Sequence, residues 1–223
     1  MSLQLLPFYL LCDESGSMTG SPIDAINDSL PKLHHEIGSN PAVADKTRFC
    51  LIGFSDRAEI LLSLSDLSTV TEMPELQANG GTSYAKAFDT LRETIDRDVA
   101  QLKSEGHEVY RPAIFFLSDG LPNDDWHAAY QQLTDPAWRP HPNILAFGFG
   151  QADADIIRQV ATTKAFISDN TLSPAEALRE FAQSLVRSIV NSGTQSADTA
   201  AGGATLVMPD QVPGFTTISA DPV

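Results

Sequence analysis

The sequence predicts an α/β fold: a doubly wound, mostly parallel six-stranded sheet with helices on both faces and one antiparallel edge strand. Three observations predict it. Short apolar runs alternate with segments of helical periodicity, the pattern of strands buried on both faces and joined by crossover helices. The second and third runs are separated only by a short turn, which requires an antiparallel pair. Hydrophobic residues make up 42% of 223, enough to bury one core on both sides of a sheet.

Residues 8–12 are the first strand. Ser21 followed by Pro22 opens a helix, an N-cap with proline in the first turn, and Ile23, Ile26, Leu30, Leu33 and Ile37 form its apolar stripe. Pro31 interrupts that stripe and is expected to kink or break the helix. Residues 48–54 and 59–62 are the second and third strands, joined by the hairpin turn Ser55-Asp56-Arg57. Asn79-Gly80-Gly81-Thr82 is a turn. A long helix follows, with Tyr84, Phe88, Leu91, Ile95, Val99 and Leu102 on one face. Residues 113–117, 144–149 and 165–167 complete the strands, and helices cover 125–133 and 153–161. Ser173-Pro174 opens a last helix whose Leu178, Phe181, Leu185 and Ile189 share a face. From about Asn191 the composition turns to Ser, Gly, Thr and Ala, which is linker composition. The chain therefore divides into a domain over 1–191 and a linker with an acidic tail over 192–223. The tail from Thr205 holds three prolines and no lysine or arginine, and reads either as unstructured or as a short segment docked on a surface.

Charge excludes several functions. The 14 Lys+Arg stand against 29 Asp+Glu, a formal charge of −15. Such a surface repels phosphate backbones and anionic lipid, so neither nucleic acid nor membrane is expected as a partner. It favours metal cations and basic partners. The N-terminal segment has no basic stretch and only a short apolar run, so it is neither a signal peptide nor a span, and a cytoplasmic location is expected. Cys12 and Cys50 sit in apolar runs and read as buried thiols; two cysteines give no zinc spacing.

The chemistry concentrates in three loops. Asp13-Glu14-Ser15-Gly16-Ser17 directly follows the first strand. It sets a carboxylate and two hydroxyls at alternate positions on the carboxyl edge of the sheet, where open parallel sheets bind ligands. Thr82 follows a double glycine, and Asp119 ends the fourth strand before Gly120. Two carboxylates and three hydroxyls, with no His or Cys nearby, form a hard-oxygen set for Mg²⁺, or for Mn²⁺ or Ca²⁺. Hydroxyls are weak neutral ligands, so the ion stays electron-poor and ready to accept a carboxylate from another molecule. Simpler roles exist for each residue. The Asp13 loop could be a capping turn, Thr82 the N-cap of the long helix, and Asp119 a turn residue. Asn123, Asp124 and Asp125 read as caps of the following helix, Asp56 as a hairpin-turn residue or a support of the site, and Trp126 as a rim or core residue. The five histidines show no ligand spacing and are expected to face solvent.

Asp-x-Ser-x-Ser, a glycine-flanked Thr and a strand ending in Asp-Gly resemble the metal-ion-dependent adhesion site (MIDAS) of von Willebrand factor A (VWA) domains, a Rossmann-like fold. Asp13, Ser15, Ser17, Thr82 and Asp119 match it position by position, and the resemblance runs from about residue 5 to residue 191. It implies a metal-binding module, not an enzyme, in which the ion takes a Glu or Asp of a partner protein. It also implies that the last helix, 174–191, shifts in members that switch. Within the family, residues 118–126 look most like the bacterial TerY-like branch. That branch implies a role in tellurite resistance and metal-stress response, alongside a Ser/Thr kinase and a phosphatase. Two other functions fit the same loops: an Mg²⁺-dependent phosphotransfer enzyme with Asp13 as nucleophile, and a scaffold with a non-functional metal site. The phosphotransfer pattern asks for a second acid two residues on, where Ser15 stands, and a lysine beside the loops. Asp210 or Asp221 of the tail could also occupy the metal in place of a partner.

Overall fold

The computed structural model describes residues 3–169, 171, 172, 176, 180, 183, 187, 189, 211–213 and 215–219. Strand β1 (Gln4–Asp13) leads through a 3-10 turn (Gly16–Met18) to α1 (Ser21–Asn27), α2 (Leu30–Gly38) and α3 (Pro41–Ala44). The hairpin β2 (Thr47–Phe54) and β3 (Ala58–Ser65) follows, then α4 (Tyr84–Ser104), β4 (Glu108–Val109) and β5 (Ala113–Ser118). The remainder comprises α5 (His127–Thr134), β6 (Asn143–Gly148), α6 (Ala154–Val160), β7 (Lys164–Ser168) and β8 (Phe215–Ser219). The main path of the sheet runs β3-β2-β1-β5-β6-β7-β8, with β4 also pairing β1. The inner pairs are parallel and the two edges, β2–β3 and β7–β8, antiparallel. The fold class is the predicted one, but among the described residues the sheet has eight strands instead of six and a second antiparallel edge. The two extra strands are the two-residue β4, too short to carry a period, and β8, which lies within the segment read as tail.

Connections run from β1 to one side of the sheet and then, from β5, to the other, so the strand order reverses between β1 and β5. A crevice opens at the carboxyl ends of the strands at such a reversal. Alternation of side chains along each strand builds two cores. Phe8, Leu10 and Cys12 of β1, Phe115 and Leu117 of β5 pack with the stripe of α1 and α2. Tyr9 and Leu11, Ile114 and Phe116 pack on α4 through Tyr84, Phe88, Leu91 and Ile95. Cys12 belongs to the first core and Cys50 to the second, so the sheet separates the two thiols, and both are free.

Pro31 takes its place by ending one helix and starting another. Helix α1 stops at Asn27, and Pro31 is in the first turn of α2, where its missing N–H is not needed. Trp126 is a core residue, 4% exposed, in an aromatic cluster with Tyr84, Phe88 and Tyr130. The histidines do not all face solvent. His34 is half-buried and bonded to the Leu67 carbonyl, and His107 is half-buried and bonded to the Leu3 N–H, whereas His35 and His127 are exposed as expected. Within the predicted last helix, Glu176, Glu180, Gln183, Arg187 and Ile189 are helical, and Ile189 is buried in the first core. The rest of 173–191, the linker over 192–203, Asp210 and Asp221 lie outside the described residues.

Candidate metal-binding site

Asp13 closes β1 next to β5 and is fully buried. Its Oδ1 accepts the Ser15 N–H at 2.8 Å, which bends the chain out of the strand, and its Oδ2 accepts the Ser118 hydroxyl at 2.5 Å. Ser15 begins the 3-10 turn that brings Ser17 back beneath it, with their hydroxyls 3.0 Å apart. Ser17 then donates to Asp119 Oδ1 at 2.8 Å. One chain of bonded oxygens therefore joins Ser15, Ser17 and Asp119.

Thr82 arrives from the loop before α4. The Gly16 N–H donates to the Gly80 carbonyl at 3.0 Å and the Asn79 N–H to the Glu14 carbonyl at 2.7 Å, stitching this loop to the first. Gly80 has φ 74°, a left-handed conformation that only glycine adopts without strain. A side chain at Gly120 would begin 3.4 Å from Thr82 Oγ1, so the Thr82 hydroxyl lies over the residue following Asp119. The N-cap of α4 is Ser83, not Thr82: its Oγ accepts the Lys86 N–H at 3.2 Å. Among the described residues nothing hydrogen-bonds the Thr82 hydroxyl, although the residue is 7% exposed. All five predicted residues thus meet at the carboxyl ends of β1 and β5.

Several neighbours carry no local sequence signal. Ser118 points to Asp13 only because β1 and β5 pair. Asp124 accepts from the Ser83 hydroxyl and from the Ala85 N–H at 3.2 Å, so it caps α4, not the following helix. Asp125 is the residue that bonds the start of α5, through the His127 N–H at 3.3 Å. Asp56 lies against Gly80 and Gly81, where a side chain at either would begin within 2.7 Å of its carboxylate.

A family model, von Willebrand factor type A domain, matches residues 8–197. The chain belongs to the VWA family. A search of curated proteins gives no match for this VWA domain. Solved structures give its fold. Proximal thread matrix protein 1 from the mussel byssus, in a form titled with a zinc-occupied MIDAS motif, is 15% identical with a TM-score of 0.59, over 85% of this chain and 48% of that one. The ArnB paralog VWA2 from Sulfolobus acidocaldarius is 20% identical with a TM-score of 0.56, over 84% and 46%. The pilus adhesin SpaC from Lactobacillus rhamnosus GG is 15% identical with a TM-score of 0.61, over 85% and 30%. The chain thus spans half or less of each of these structures.

The electrostatics of the VWA loops ask for positive charge. Burial pushes the Asp13 carboxyl up to about 6, against the bonds from Ser118 and Ser15, and nearby Asp119 adds to the rise. Burial raises Asp119 too. Among the described residues neither carboxylate has an ion pair. No three His, Cys, Asp or Glu side chains gather as a metal-holding group among the described residues, because this set has only two carboxylates. Its other oxygens are hydroxyls. The donors are all hard oxygens in a buried, net-negative cluster, which fits a hard divalent cation. Beside it lies a cavity of about 330 Å³ lined by Glu14, Glu59, Glu75 and Arg57, so the acidic surface continues past the ligands.

Proposed function

We propose that this VWA domain is a metal-dependent protein–protein interaction module that acts by binding, not catalysis. Asp13, Ser15, Ser17, Thr82 and Asp119 hold one divalent cation, Mg²⁺ or alternatively Mn²⁺ or Ca²⁺, and an acidic residue of a partner protein binds through it. The observation that carries this reading is the bonded cluster of buried carboxylates and hydroxyls, to which no cationic side chain among the described residues is paired. The cation supplies the missing charge. It also reverses the local sign, without which a partner carboxylate would meet Asp13, Glu14 and Asp119 as like charges. One relative is titled with zinc in its MIDAS motif. Here the absence of nitrogen and sulfur from the five residues favours the harder ions.

The finer part of the proposal is the setting. The match of residues 118–126 to the TerY-like branch supports a cytoplasmic role in bacterial tellurite and metal-stress signalling, with a Ser/Thr kinase or phosphatase as partner. No described helix is long and apolar enough to cross a membrane. The test is thermal unfolding of chelator-stripped protein, wild type and Asp13→Ala, with Mg²⁺, Mn²⁺, Ca²⁺ and Zn²⁺ in turn. An ion at about 100 times its Kd stabilises the wild type by roughly 2.7 kcal/mol and leaves the variant unmoved. No shift with any ion removes the metal reading. Capture of kinase or phosphatase that survives chelation would remove the metal-dependent partner.

A further inference from the structure

Resting on the reading of Thr82 as a ligand, we infer that Asn123 is the positioning residue of the metal site. It holds the Thr82 backbone from across the crevice and so ties the Thr82 loop to the Asp119 loop. The Asn123 backbone N–H donates to the Thr82 carbonyl at 2.9 Å. With the carboxamide in the orientation that satisfies both groups, its nitrogen donates to the same carbonyl at 2.9 Å and its oxygen accepts the Thr82 N–H at 3.2 Å. Both peptide groups of Thr82 are therefore satisfied by one residue, which leaves only the hydroxyl of Thr82 unengaged.

The neighbouring glycines are shaped to this contact. A side chain at Gly81 would begin 2.4 Å from the Asn123 carboxamide oxygen that accepts the Thr82 N–H, and one at Gly120 would stand in ordinary contact, 3.4 Å, with the Thr82 hydroxyl. The other four residues of the cluster are fixed through their own side chains by Ser118 and by one another. Thr82 is fixed through its backbone alone, so its hydroxyl stays available to the ion while its position is set. The chemistry selects asparagine. The contact needs one donor and one acceptor side by side, which a carboxamide has and a carboxylate lacks. Residues that orient ligands from behind typically change metal affinity by ~10- to 100-fold when lost.

Mn²⁺ titration, read from the resonance of the free ion, tests this on wild type, Asn123→Ala, Asn123→Ser, Thr82→Ala and the double variant Asn123→Ala/Thr82→Ala. Unfolding of each in chelator reports on the fold alone. The expected result is an affinity ~10-fold or more weaker for Asn123→Ala and Asn123→Ser. On the Thr82→Ala background, Asn123→Ala then costs less than ~2-fold, since a residue acting through Thr82 has nothing left to act on. A full loss on that background, or wild-type affinity in both Asn123 variants, overturns the assignment and leaves the metal site standing. A wild type that binds no Mn²⁺ overturns both. Should Asn123→Ala fail to fold, Asn123→Ser replaces it in the cycle, since a serine turn residue keeps the backbone bond to Thr82.

Discussion

At the scale of single residues, the chemistry of the site comes from a carboxylate held where water is scarce. Asp13 binds its proton more tightly in the folded chain, where its pKa is about 6, than in the unfolded chain, where it is near 3.8. The folded state therefore carries more protons between those values, and metal-free stability falls as pH rises through that window. Asp119 and Glu14 are shifted the same way. Melting in chelator is accordingly expected to occur at higher temperature at pH 5 than at pH 7. Added Mg²⁺ competes with the proton, so its stabilisation should be small at pH 5 and fully developed above pH 6. A metal effect independent of pH would mean that Asp13 is not among the ligands. Burial acts on the two thiols in the same sense. Burial raises both far above the ordinary range, and they lie on opposite faces of the sheet. At pH 8 neither should react with a thiol reagent until the protein unfolds, and both should then react singly.

At the scale of elements, the loops hold because the strands leave room for them. A side chain at Gly53 of β2 would begin 1.9 Å from Glu14 Oε2. Glu14 in turn accepts the Gln77 N–H at 2.6 Å, pinning the segment ahead of the Thr82 loop. Gly53→Ala should displace that carboxylate and cost about 1.5–3 kcal/mol, the worth of one hydrogen bond to a charged group. The loss should largely vanish in a Glu14→Ala background, as measured by urea unfolding. Such dependencies mark where a sequence stops being legible. The five cluster residues could be named because each sits in a loop whose own letters announce a strand end or a glycine turn. Ser118, Asn123 and Asp124 could not, because their partners are Asp13, Thr82 and Ser83, brought close only by the pairing of β1 with β5 and by the approach of α4. Asp124 shows the reason well: acidic residues before a helix ordinarily cap it, and here a different helix end is nearer. Strand β8 escaped notice because Phe-Thr-Thr-Ile-Ser is a strand only when β7 lies alongside it.

At the scale of the whole molecule, the sheet is finished by a segment far along the chain. Phe215 packs edge-on against Phe147, and Val212 is 2% exposed, so Val212 and Phe215 belong to the first core while β8 extends the sheet. Deleting 211–223 removes two buried apolar side chains and uncovers the β7 edge. The expected loss is roughly 3–5 kcal/mol from the side chains alone. Self-association by the bared strand should accompany it, seen in the denaturant midpoint and in light scattering. An unchanged midpoint would assign the strand no part in stability.

The position of β8 also sets a clock. Ser168 of β7 pairs with Phe215 of β8, so synthesis must pass the whole interval between them before the sheet can close. At ~5–20 residues per second that interval lasts roughly 2–10 s. The parallel strands, both faces of helices and every residue of the proposed metal site are already out of the ribosome by then. A nascent chain that takes a cation at the proposed site can therefore do so before β8 is in place, and an ion that stabilises the folded sheet would protect the open β7 edge during those seconds.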